Sequence, residues 1–115
     1  MTAIPEITAA TFESEVLQST VPVLVDLYAP WCGPCQMMSV VLEKLAPQFA
    51  GRAKVVKINT DKEQELAAAF QVSSIPTLAL VHGGKVVDGF VGLAPAKTIL
   101  QMIDKATALV SSATR

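Results

Sequence analysis

Apolar positions along this chain fall into short continuous runs that alternate with stripes of helical spacing. Residues 22–28, Pro-Val-Leu-Val-Asp-Leu-Tyr, are apolar at odd and even positions alike. That is the pattern of a central strand covered on both faces, and so of an α/β sheet. Residues 53–59 repeat it with Val55, Val56 and Ile58. Residues 77–81 and 86–91 give two more strands, joined by His82-Gly83-Gly84-Lys85. Two adjacent glycines tolerate the positive φ of a tight hairpin. Ile4–Ile7 is a further short strand, interrupted by Pro5.

Helical stripes fill the intervals. Thr8 or Thr11 caps the first, which buries Phe12 and Val16. The second carries Met38, Val41, Leu42, Leu45 and Phe49. It is expected to run from Cys32 to about Ala46, where Pro47 bends or ends it and Gly51 marks the exit. Thr60 or Asp61 caps the third, with Thr60 and Glu63 at capping-box spacing and Leu66 and Phe70 turned inward. Pro95 opens the last, which buries Ile99, Ile103, Ala106 and Val110, and Ser111–Arg115 reads as a frayed tail.

A chain of 115 residues with no repeat or linker reads as one domain over 1–115. The hydrophobic fraction of 51% and charged fraction of 17% suit a well-filled interior. Net charge is −1 and the basic residues form no run, so neither nucleic acid nor an anionic membrane surface is indicated. No apolar stretch reaches the roughly 18 residues of a transmembrane helix. The first residues lack the basic start and apolar segment of an export signal, which makes the cytoplasm the expected location.

The two cysteines, in Trp31-Cys32-Gly33-Pro34-Cys35, lie where a strand ends and a helix begins. Unpaired N–H groups and the positive end of the helix dipole favour an anion there, and a thiolate is one. Three readings compete. A zinc site needs about four ligands, against two cysteines and the single His82. A structural disulfide closing so short a loop constrains little of the unfolded chain. A dithiol that cycles between reduced and oxidised forms is the favoured reading, because the strand–turn–helix context is what it requires.

Asp26 is a carboxylate between the same-face apolar residues Leu24 and Tyr28. A buried carboxylate has a raised pKa and can exchange protons near neutrality. The plainer alternative is a polar residue at a strand edge. Lys57, in the neighbouring apolar run, is its candidate partner or else a surface lysine with a buried stem.

Taken together, Asp26, Ala29-Pro30-Trp31-Cys32-Gly33-Pro34-Cys35, Lys57, Ile75-Pro76-Thr77, Gly83-Gly84 and Gly92 resemble the thioredoxin family along essentially the whole chain. The resemblance implies a thioredoxin fold, with a mixed five-stranded sheet of order 3-1-2-4-5 flanked by four helices. It implies a protein-disulfide reductase in which Cys32 attacks, Cys35 resolves and Asp26 exchanges the proton, with Lys57 beside it. It also implies a cis Pro76 opposite the cysteines, and a docking patch of Trp31, Ile75, Pro76, Val91, Gly92 and Leu93. No bound cofactor is needed, since the sulfurs are the redox centre. The implied partners are disulfide-bearing proteins and an NADPH-dependent thioredoxin reductase, met by a monomer. Asn59-Thr60-Asp61, Glu65-Leu66 and Phe70 are similar to the thioredoxin 2 branch, many members of which add a four-cysteine zinc segment that this chain lacks.

The chain departs from the family pattern at four places. Gln36 stands where a basic residue is frequent, Val40 where a helix-kinking proline is common, Tyr28 where a second tryptophan is common, and Leu93 where a smaller residue is frequent. Two other classes compete with the reductase: a thioredoxin-fold scaffold subunit whose dithiol is incidental, and a disulfide oxidase or isomerase.

Overall fold

The computed structural model describes residues 4–113, and side chains through residue 108. Four strands, β1 (Val23–Tyr28), β2 (Lys54–Asn59), β3 (Thr77–His82) and β4 (Lys85–Val91), form one mixed sheet of order β2-β1-β3-β4. β1 runs parallel to β2 and antiparallel to β3, and β4 returns antiparallel to β3. Four helices accompany them: α1 (Ala9–Phe12), α2 (Gly33–Leu45), α3 (Gln64–Ala69) and α4 (Ala96–Ala113).

The alternation along β1 sorts the core into two layers. Leu24 joins Met38, Leu42, Phe49, Ile99 and Ile103 on the face covered by α2 and α4. Val23, Val25 and Leu27 join Val16, Val56 and Ile58 on the other face, where Phe12, Leu66 and Phe70 complete the packing. Burying each such side chain contributes roughly 1.5–3 kcal/mol. Position 26 belongs to the even set, which places Asp26 on the α2 side of the sheet.

The expected five-stranded order 3-1-2-4-5 is corrected. It puts Ile4–Ile7 between the strands at 53–59 and 22–28, but β1 and β2 pair directly. The N-terminal segment instead lies along the far side of β2, through a single parallel bridge between Glu6 and Lys57. Lys57 N donates to Pro5 O at 2.9 Å and Ile7 N donates to Lys57 O at 2.8 Å. Pro5 has no N–H to extend the ladder, so a strand does not develop.

The start of α3 differs too. The Thr60 hydroxyl donates to Tyr28 O at 2.9 Å and is not available as a cap. Asn59 Oδ1 instead accepts from Asp61 N at 2.9 Å, and the helix begins only at Gln64 with Glu63 as its N-cap. Glu63 turns its carboxylate to Ala9 N, 2.9 Å away, so no Thr60–Glu63 box forms.

α2 passes through Val40 as one helix, then tightens into a 3-10 turn, Ala46–Phe49, around Pro47. α1 opens at Thr8, whose N–H donates to Thr11 Oγ1 at 3.1 Å, and widens into a π-helical turn, Glu13–Leu17. Gly83 and Gly84, with φ of 62° and 77°, turn the β3–β4 hairpin. Residues 111–113 belong to α4 rather than to a frayed tail. The expected burial of Val110 and the last two residues lie outside what is described.

Candidate active site

Cys32 is the N-cap of α2, with extended backbone (φ −92°, ψ 113°), and Pro34 occupies the first helical turn. Proline suits that turn because an N–H there has no intrahelical acceptor. Cys32 Sγ accepts a hydrogen bond from Cys35 N at 3.2 Å. One of the orphan donors of the helix is therefore aimed at this sulfur, the arrangement that stabilises a thiolate once the pair is reduced. The two cysteines form a disulfide with Cα atoms 5.2 Å apart.

Cys32 and Cys35 are both buried, at 6% and 2% exposure. Ala29 packs with the two sulfurs, and Tyr28 and Ile75 close around them. Cys32 is the more exposed of the two by a small margin, and only a narrow edge of it meets solvent.

Asp26 is 2% exposed, and its Oδ1 has no hydrogen-bond partner among the described residues. Burial raises its pKa to about 7, against the lowering pull of Lys57. Lys57 is its register partner on β2. Both border a cavity of about 110 Å³ that Cys35, Gln36 and Ser39 also line. A space of that size with polar walls has room for water between carboxyl and thiol. The Lys57 ammonium stands 5.5 Å from the Tyr28 ring centroid, within cation–π range. Tyr28 OH donates to Glu6 Oε1 at 2.6 Å, and burial together with that carboxylate pushes the phenol pKa upward.

The docking residues named from sequence are distributed around the dithiol. Ile75 packs on it directly. The Ile75–Pro76 bond is cis, and Pro76 O accepts from Gly92 N at 2.8 Å. Gly92 has φ of 101°, a conformation open to glycine and strained for other residues. Trp31, Val91 and Leu93 are exposed at 72%, 62% and 41%, large apolar side chains left in water near the reactive pair. Gln36, in place of a basic residue, donates from Nε2 to Pro30 O at 3.4 Å.

Sequence reasoning missed Asp61 as part of the site. Its Oδ2 accepts from Trp31 Nε1 at 2.9 Å and so holds the exposed indole. The only signal was an acidic residue just after a buried strand, which reads equally well as a helix cap. His82 ends β3, half-buried, with Nδ1 unpartnered among the described residues. Among those residues, no three His, Cys, Asp or Glu side chains stand close enough to hold a metal ion. No helix there is long and apolar enough to cross a membrane.

The family model described as Thioredoxin matches residues 3–105. The chain is 48% identical over 105 residues to Thioredoxin 1 of Nostoc sp., covering 91% of this chain and 98% of that protein. It is 45% identical to Thioredoxin 1 of Synechococcus elongatus and 47% identical to thioredoxin of Haemophilus influenzae, each over the same shares. These three names lend no support to the resemblance to the thioredoxin 2 branch. A buried cysteine pair at a helix mouth can do two-electron exchange with another disulfide, and the relatives carry the name of that chemistry. The chain is a thiol–disulfide oxidoreductase, a protein-disulfide reductase, and it belongs to the thioredoxin family.

Proposed function

We propose that the catalytic cycle begins with reduced Cys32 attacking one sulfur of a target disulfide. A bond forms between Cys32 Sγ and that sulfur, while the other target sulfur leaves as a thiolate and takes up a proton. Cys35 then loses its proton to the Asp26 carboxylate, through water in the shared cavity, and attacks Cys32 Sγ. The intramolecular disulfide forms, the second target sulfur departs as a thiolate and takes that proton from Asp26, and the target has gained two electrons and two protons. Lys57 keeps the carboxylate from becoming too basic to release that proton afterwards. The observation that carries this assignment is the Cys35 N–H held 3.2 Å from Cys32 Sγ, since it singles out one sulfur of the pair as the anion.

Trp31, Ile75, Pro76, Val91, Gly92 and Leu93 form the docking surface in this reading, and Gly33 and Pro34 set the turn between the cysteines. In this reading the Ile75 backbone hydrogen-bonds an extended target chain as an added strand. The side chains of the surface are apolar, which suits a general reductant of disulfide-bearing proteins. An NADPH-dependent thioredoxin reductase is the recharging partner, the working unit is the monomeric single domain, and the compartment is the cytoplasm.

The test is trapping. Cys35→Ser is expected to accumulate a mixed disulfide with disulfide-bonded insulin, and Cys32→Ser to accumulate none and reduce none. Turnover retained by Cys32→Ser overturns the assignment.

A further inference from the structure

The flank of α2 carries an apolar feature that shares only Leu93 with the docking surface. Met37, Val40 and Val41 recur at helical spacing beyond Pro34, and Met37 and Val40 are 58% and 53% exposed. Facing them, Leu93, Ala94 and Pro95 lead into α4. Between the two walls is an open groove of about 480 Å³, and none of its lining side chains is ionisable. An apolar concavity of this size is large enough to receive a bulky side chain, and exposed apolar patches of this kind mark interaction surfaces.

The groove is continuous with the face that a target must reach. One wall is the helix that Cys32 caps. The other follows Gly92, which is bonded to Pro76 next to the Ile75 that packs on the sulfurs. Val40 lies eight residues along α2 from Cys32, about 12 Å at 1.5 Å per residue. An extended chain covers about 3.3 Å per residue, so a target held by its cysteine at Cys32 reaches Val40 roughly four residues later.

We propose that this groove is a subsite for a bulky apolar side chain of the target polypeptide, about four residues from the cysteine under attack. The assignment rests on Cys32 as the attacking sulfur. Charge-free walls would leave an ionised target side chain without a partner, so the subsite selects apolar residues. Met37 is unbranched and flexible, and Ala94 presents only a methyl group, so apolarity is selected more strictly than shape.

The probes are synthetic peptides with one cysteine in mixed disulfide with glutathione and one leucine two, four or eight positions from it, on either side. A leucine-free peptide serves as reference. Leucine at four positions is expected to raise kcat/KM about fivefold on one side, the effect of partly burying that side chain. Val40→Asp, which puts a charge in the groove, and Ala96→Phe, which fills it, are both expected to abolish the leucine preference. Equal kcat/KM for all peptides, or a preference that survives both substitutions, overturns the subsite. Reduction of the peptides by Cys32→Ser instead overturns the attack assignment. A concentration-dependent dimer in sedimentation that Val40→Asp dissolves would give the groove to a second copy of the chain, and also overturns the proposal.

Discussion

Asp26 and Lys57 face each other across the parallel β1–β2 pair, and both border the cavity onto which Cys35 opens. Burial acts on the carboxyl more strongly than the Lys57 charge does, and so burial sets its behaviour. An acid whose pKa rises on folding, here from 3.8 to about 7, holds its proton more tightly in the native state than in the unfolded one.

Stability should therefore fall with rising pH across that window. Below pH 4 both states are protonated and the group contributes nothing. Between pH 4 and 7 the unfolded chain ionises first, and above pH 7 the native state carries the full penalty, on the order of 4 kcal/mol. Asp26→Asn should flatten this dependence, with its advantage over the wild type growing from pH 4 to pH 7 and then levelling. Urea denaturation at several pH values measures it, and parallel curves for the two proteins would contradict the assignment of the titration to Asp26.

The same substitution separates the two chemical steps. Asp26→Asn is expected to leave formation of the mixed disulfide largely intact and to slow its resolution about a hundredfold, the lower end of what a positioned base supplies. Stopped-flow release of target thiol from pH 6 to 9 tests this. A release rate identical to the wild type throughout that range removes Asp26 from the mechanism.

Tyr28 and Glu6 tie the N-terminal segment to the wall of the same cavity. Tyr28→Phe keeps the ring under Lys57 and removes only the hydroxyl, so the expected loss is about 1 kcal/mol. A double-mutant cycle with Glu6→Gln should assign most of that loss to the pair. Additive effects in the cycle would mean that the 2.6 Å contact contributes nothing measurable.

Trp31 is the single tryptophan, so its fluorescence reports the active-site rim alone. Its Nε1 donates to Asp61, and Asp61→Ala should release the indole. Lower fluorescence anisotropy at unchanged far-ultraviolet circular dichroism is the expected signature. Unchanged anisotropy would show that the ring is held by something other than this bond.

Residues that broke a local pattern were the legible part of the site. Asp26 is conspicuous in an apolar strand, and Cys32-Gly33-Pro34-Cys35 stands where a strand gives way to a helix. The two-faced character of residues 22–28 and 53–59 likewise foretold a sheet covered on both sides. What escaped was decided across long sequence separations. Nothing near Thr60 reveals that its hydroxyl is engaged by the Tyr28 carbonyl, 32 residues away, and so the expected cap of α3 failed. The strand order failed for a related reason, since two backbone hydrogen bonds to Lys57 decide on which side of β2 the N-terminal segment lies. The near-complete burial of Cys32 depends on Ile75, brought in from the start of β3.

The course of Pro5–Ile7 along β2 reaches beyond topology. A sheet margin with bare amides and carbonyls is a template on which other copies can stack. Here the chain covers one margin with its own backbone, at the cost of only a few residues, and the proline ensures that the covering segment does not itself grow into a new sticky border. Truncation past Ile7 would uncover the Lys57 peptide groups, strip the buried Ile4 and Ile7 from the core, and leave a less stable molecule with a new tendency to self-associate on storage.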